Sequence, residues 1–109
     1  MSGTTVDPSA SAQEGAPGIC RSWAMTAAQA ERFFLLSERI DARRYHHDFD
    51  TAPCMISGVL GSDGRAWKFS INGAAKAVLR NGNDTHYVGC MASECSELVM
   101  WEYTPPDVD

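Results

Sequence analysis

Between residues 55 and 90 the chain alternates short apolar runs with glycine-bearing turns, and this punctuation restricts the fold more than any other feature. The first run, 55–60, ends at Gly61-Ser62-Asp63-Gly64. In the second, 66–71, Trp67, Phe69 and Ile71 alternate with Lys68 and Ser70, which puts three large side chains on one face of a strand. Asn72-Gly73 matches a type I′ hairpin, whose two central residues need positive φ, and leads into a third run at 74–80. Asn81-Gly82-Asn83-Asp84 turns the chain into a fourth run, 85–90. Turns recurring at intervals of about ten residues predict an up-and-down antiparallel sheet. The segment 90–95 reads as a short crossover. Residues 98–103 are apolar enough for a fifth strand, which Pro105 and Pro106 would stop.

Upstream, Thr26 and Gln29 have the spacing of a capping box, so a helix is expected from Ala27. Ala30, Phe33, Leu36 and Ile40 recur at three- and four-residue steps, with Phe34 beside them and Glu31, Arg32, Glu38 and Arg39 mostly opposite, which carries the expected helix to about residue 41. The fold class that follows is α+β, one N-terminal helix packed on a four- to five-stranded antiparallel β-meander. Small Ala74, Ala75 and Ala77 would let the helix approach the sheet closely. Lys76, Val78, Arg80, His86 and Val88 are then expected to face solvent or a partner.

With 109 residues, 44% of them hydrophobic and 21% charged, the chain has room for one core. Residues 1–18 are nearly all small, polar or acidic, a mixture that buries too little apolar surface to offset chain entropy, so they are expected to be a disordered tail before a single domain at 19–109. No run approaches a membrane span, and residues 1–18 have neither the basic start nor the apolar stretch of a signal peptide. They resemble the linker left after such a signal is removed. A net charge of −5 argues against attraction to nucleic acid or anionic lipid and suits a cationic protein partner better.

Four cysteines in so small a chain favour disulfides over free thiols, and three pairings exist for Cys20, Cys54, Cys90 and Cys95. In an up-and-down meander the first strand starts, and the fourth finishes, at the same end of the sheet. Cys90 with Cys95 closes a small ring, and Cys20 with Cys54 ties the helix to the first strand, so this pairing is favoured. Zinc would require two close cysteine pairs, and only Cys90 and Cys95 have that spacing. Adjacent His46 and His47 in a strand-like stretch would point apart, so no metal and no other cofactor is expected. No spacing places a cysteine beside a histidine base, or sets Glu38, Asp48 and Asp50 across a cleft. Phosphate-binding glycine loops, nucleophile elbows and HExxH are absent from the sequence.

Residues 42–53 follow neither a helical nor a strand period and end at Pro53, so they are expected to form a long surface loop, the kind of segment that often carries function. The order Tyr45-His46-His47-Asp48-Phe49-Asp50, Ala52-Pro53-Cys54, Trp67-x-Phe69-x-Ile71-Asn72-Gly73-Ala74-Ala75-Lys76 and Tyr87-x-Gly89-Cys90 with Cys95 resembles small uncharacterised proteobacterial cysteine-containing proteins that look like effector immunity proteins. The resemblance covers residues 20 to about 104, and its motifs are diagnostic of no activity. It implies a periplasmic or cell-envelope protein, with the cytoplasm as the alternative, that neutralises a cognate secreted toxin or effector by binding it. Tyr45, His46, His47, Asp48, Phe49 and Asp50 are the expected contacts, the acids facing cationic groups and the aromatic rings acting as anchors. The chain is not expected to be an enzyme; the alternative is a small metal- or cysteine-dependent enzyme using the 45–50 loop. Open sheet edges would also allow a homodimer.

Overall fold

A computed structural model describes residues 2–6, 11–12, 19–62 and 64–105. In chain order they form strands β1 (Ser2–Val6) and β2 (Ser11–Ala12), a 3-10 turn (Ile19–Ser22), helix α1 (Ala27–Leu36), strand β3 (Glu38–Ile40), helix α2 (Ala42–His47), strands β4 (Cys54–Ser62), β5 (Arg65–Asn72), β6 (Lys76–Asn81) and β7 (Asp84–Gly89), and a second 3-10 turn (Ser93–Glu97). The strands make one antiparallel sheet in the order β1-β4-β5-β6-β7-β3, with β2 also paired to β4. The α+β class and the meander from β4 to β7 are as expected. The number of strands and helices is larger than expected.

Thr26 opens α1 through the capping box: its hydroxyl accepts from Gln29 N at 3.1 Å, and the Gln29 side chain accepts from Thr26 N at 2.8 Å. The helix stops at Leu36, short of the expected 41. Ser37 turns to extended backbone while its hydroxyl donates back to Phe33 O at 2.7 Å, a side-chain bond that competes with further helix. The chain is then free to pair, and Arg39 and Ile40 line up with Val88 and Tyr87 as β3.

Two further departures lie at the ends. Within the expected disordered tail, β1 and β2 lie along the free edge of β4, where backbone N–H and C=O groups would otherwise lack partners. Residues 7–10 and 13–18 of that tail fall outside the described residues. Residues 98–103 form no fifth strand, because their backbone binds a turn instead of a sheet edge: Met100 N and Trp101 N both donate to Gly73 O at 2.9 Å.

Gly73 explains why the hairpin differs from a type I′ turn. Gly73, Ala74 and Ala75 link β5 to β6, Asn72 pairs with Lys76, and Ala75, at φ 68°, is the residue in the left-handed region. Gly73 instead provides space, since a Cβ there would lie 2.8 Å from Met100 Sδ and 3.2 Å from Ala52 Cβ. Beside it Asn72 is buried, with three side-chain bonds made. Its Oδ1 accepts from Ala52 N at 2.8 Å and Ala74 N at 3.0 Å, and its Nδ2 donates to Ala52 O at 3.0 Å.

Strand alternation sorts the side chains into two layers. Ile56, Leu60, Trp67, Phe69, Ile71, Ala77 and Val88 are buried in one cluster with Ala30 and Phe33 of α1 and with Trp23, Met25 and Leu98. Phe34 stands edge-on to Phe69 at 5.1 Å between centroids, and Trp23 Nε1 donates to Leu98 O at 2.9 Å. The expected open face of Lys76, Val78, Arg80, His86 and Val88 does not exist as one surface. Val78 pairs with Tyr87 and Ala77 with Val88, so His86 and Val88 lie on the α1 side and the other three lie opposite. Val88 is core, and Lys76 is only 1% exposed.

The cysteines pair as favoured, Cys20 with Cys54 and Cys90 with Cys95, with Cα atoms 5.4 and 6.4 Å apart. The first bridge binds the segment before α1 to the start of β4. The second closes the turn after β7.

Candidate partner-binding site

Asp41 changes the expected loop into a short helix. Its carboxylate accepts from Arg44 N at 2.8 Å, satisfying an amide that the first helical turn leaves free, and α2 runs from Ala42 to His47. Arg44 Nε then reaches Asp48 at 3.1 Å, one turn on, and this bond raises the guanidinium pKa.

Three side chains fix α2 and the residues after it to the sheet face opposite α1. The Tyr45 ring lies 5.0 Å from that of Tyr87. Phe49, 5% exposed, occupies the hollow that Gly89 leaves by lacking a Cβ, with its ring 4.6 Å from that of Tyr103. Lys76 rises from β6 beneath them: its Nζ donates to Tyr45 O at 3.0 Å and Thr51 Oγ1 at 2.8 Å, and lies 4.3 Å from the Tyr45 ring centroid. Asn72 holds Ala52 at the end of the same segment.

The six expected contact residues therefore divide. His46, His47 and Asp50 are exposed, Tyr45 and Asp48 are half-buried, and Phe49 is interior. The aromatic anchors point into the protein. They hold α2 in place, leaving two imidazoles and a carboxylate outward.

No family model, curated protein or solved structure matches the chain. Among the described residues no group of three or more His, Cys, Asp and Glu side chains converges as metal ligands would, and none of the cysteines is a free thiol.

Sequence reasoning did not anticipate the role of Lys76, which it placed toward solvent or a partner. Alternation gives a residue's face but not what covers that face, and no motif pairs Lys76 with Thr51. Burial lowers the Lys76 pKa from its ordinary value, with Asp50 opposing in part. Burial raises that of Tyr45, with Tyr87 adding to the effect and Arg80 opposing it.

The two shifts have opposite consequences for stability. Between the lowered folded pKa of Lys76 and its ordinary 10.5, the unfolded chain binds more protons at this group, so its contribution to stability rises with pH. Above 10.0 Tyr45 works the other way, because the folded protein keeps its phenol proton longer than the unfolded chain. In urea denaturation across this range, the stability of wild type minus that of Lys76→Met is expected to increase with pH. A flat difference would rule out a perturbed lysine.

Proposed function

We propose that this chain is an immunity protein, which binds a cognate secreted bacterial toxin or effector and blocks it by direct contact. The observation carrying this reading is the fixed end of α2, with His46, His47 and Asp50 displayed outward while Lys76, Phe49 and Tyr45 hold the backbone beneath them. A surface ordered before contact loses little entropy on binding, and a mixed set of imidazole and carboxylate groups offers both donors and acceptors. The two disulfides are compatible with an oxidising compartment, which supports the periplasm or cell envelope as the place of action. Among the described residues no helix is long and apolar enough to cross a membrane.

The enzyme alternative has weaker support. A cysteine nucleophile would require reduction of a buried disulfide, and a metal would have only His46, His47 and their acidic neighbours. The test takes as partner in isothermal titration any secreted protein found to be encoded beside this gene. Replacing His46, His47 and Asp50 together with Ala is expected to weaken binding by roughly 100-fold, each contact contributing about 1 kcal/mol, while circular dichroism verifies that the fold is kept. Unaltered affinity in the triple variant would remove this patch from the interface, and no binding by wild type would remove that partner.

A further inference from the structure

The opposite face of the sheet carries a different surface. Helix α1 ends at Leu36 and leaves part of β4, β5, β6 and β7 uncovered, forming a groove of about 370 Å3. Leu60, Trp67, Leu79 and Val88 line its floor, and Phe34 and Leu35 line its wall. Leu35 is 77% exposed, so a large apolar side chain stands mostly free beside a hollow of mixed polar and apolar lining. The volume falls in the range of small-molecule sites, roughly 300–1,000 Å3.

Charge distinguishes this groove from an accidental gap in packing. The chain carries a net charge of −5, yet among the described residues no acidic side chain lines the groove; the Asp84 carboxylate, bonded to Arg65, lies close enough to His86 to act on it. At its rim stand Arg39, from β3, and His86, from β7, on the same side of the sheet. The ion pairs among the described residues join Arg44 to Asp48 and Arg65 to Asp84; Arg39 is in neither. The indole of Trp67 is already held, with the His86 ring 4.8 Å away and the Arg65 guanidinium 4.8 Å from its centroid. A mixed lining with Trp67, Leu60, Leu79 and Val88 at its base, and a guanidinium that makes no ion pair among the described residues at one side, suits an apolar body ending in an anion.

We propose that the groove between α1 and strands β4–β7 binds a small amphiphilic carboxylate, with its hydrocarbon on Trp67, Leu60, Leu79 and Val88 and its carboxylate at Arg39 and His86. The site is independent of α2, which covers the other side of the sheet.

Amide and indole NMR titrations of the full chain test this with three probes of equal chain length, kept below their micellar thresholds: decanoate, decanol and decyltrimethylammonium. Decanoate is expected to give saturable shifts at the Trp67 indole and the Leu79 and Val88 amides. Decanol should bind at least tenfold more weakly, and the cation should not saturate. Arg39 is exposed and makes no ion pair among the described residues, so Arg39→Ala should fold normally; it is expected to weaken decanoate about tenfold, the effect of one charge-assisted hydrogen bond, and to leave decanol unchanged. Leu35→Glu, also at an exposed position, should weaken decanoate by repulsion. Equal binding of the three probes, indifference to Arg39→Ala, shifts located elsewhere or no saturable shift would each overturn the proposal.

Discussion

Replacing Cys20 and Cys54 together with Ala is expected to lower the unfolding free energy by about 4 kcal/mol, the loop entropy of a bridge between residues 34 apart in sequence. A domain of this size has roughly 5–15 kcal/mol in total, so the variant should sit near the edge of folding at 37 °C. The same replacement at Cys90 and Cys95, 5 residues apart, should cost about 2 kcal/mol. All four sulfurs belong to buried residues, so small cavities add to both figures and leave the difference between the two pairs in place. Guanidinium denaturation of the two double variants decides it. A larger loss from the short ring would mean that chain restriction is not what the long bridge supplies. Reduction should raise the intact mass by about four hydrogen masses; a rise of about two would contradict one bridge, and an unchanged mass both.

Asn72→Ala is expected to lose about 3–5 kcal/mol, comparable to the long disulfide although a single amide is removed. The side chain copies a strand edge, giving one donor and one acceptor to Ala52 while also accepting from Ala74. Asn72 is 3% exposed and Ala52 fully buried, so water cannot replace these bonds without opening the segment. Each buried polar group left unmatched costs about 1–3 kcal/mol, which multiplies the effect. Asn72→Asp separates hydrogen bonding from volume, because it keeps the shape and the acceptor but loses the donor and sets a carboxylate oxygen against Ala52 O. It should be nearly as destabilised as Asn72→Ala. Near-wild-type urea midpoints for Asn72→Asp would show that Ala52 O finds another donor.

The parts of this fold legible in the sequence are those fixed by neighbours. The Thr26 cap, the alternation of Trp67, Phe69 and Ile71 and the turn at Gly82 all depend on residues within a few positions, and each stands where the sequence puts it. The cysteine pairing was legible from spacing: Cys90 and Cys95 are near enough in sequence to close a ring, which leaves Cys20, before the helix, to join Cys54. The strand β3 was hidden inside a helical pattern: Ile40 keeps the period of α1, but pairing with Tyr87 overrides that local preference. Asn72-Gly73 marked a turn correctly while its mechanism was misread, since the close approach of Met100 is invisible from the sequence. At the candidate site, the exposure of His46, His47 and Asp50 agrees with a surface segment. The burial of Phe49 depends on Gly89, forty residues downstream, and on Tyr103.

Strand β7 has only six residues, yet it is written on both sides. His86 and Val88 belong to the groove, while Tyr87 and Gly89 seat Tyr45 and Phe49. A deletion or insertion of a single residue in the turn between Asn81 and Asp84 would slip β7 against β6 and exchange the two sets, setting an imidazole beneath α2 and a tyrosine in the oily hollow. Length at this hairpin should therefore be far less variable than residue identity, and a comparison of natural variants would reveal a loop that tolerates substitution but not indels.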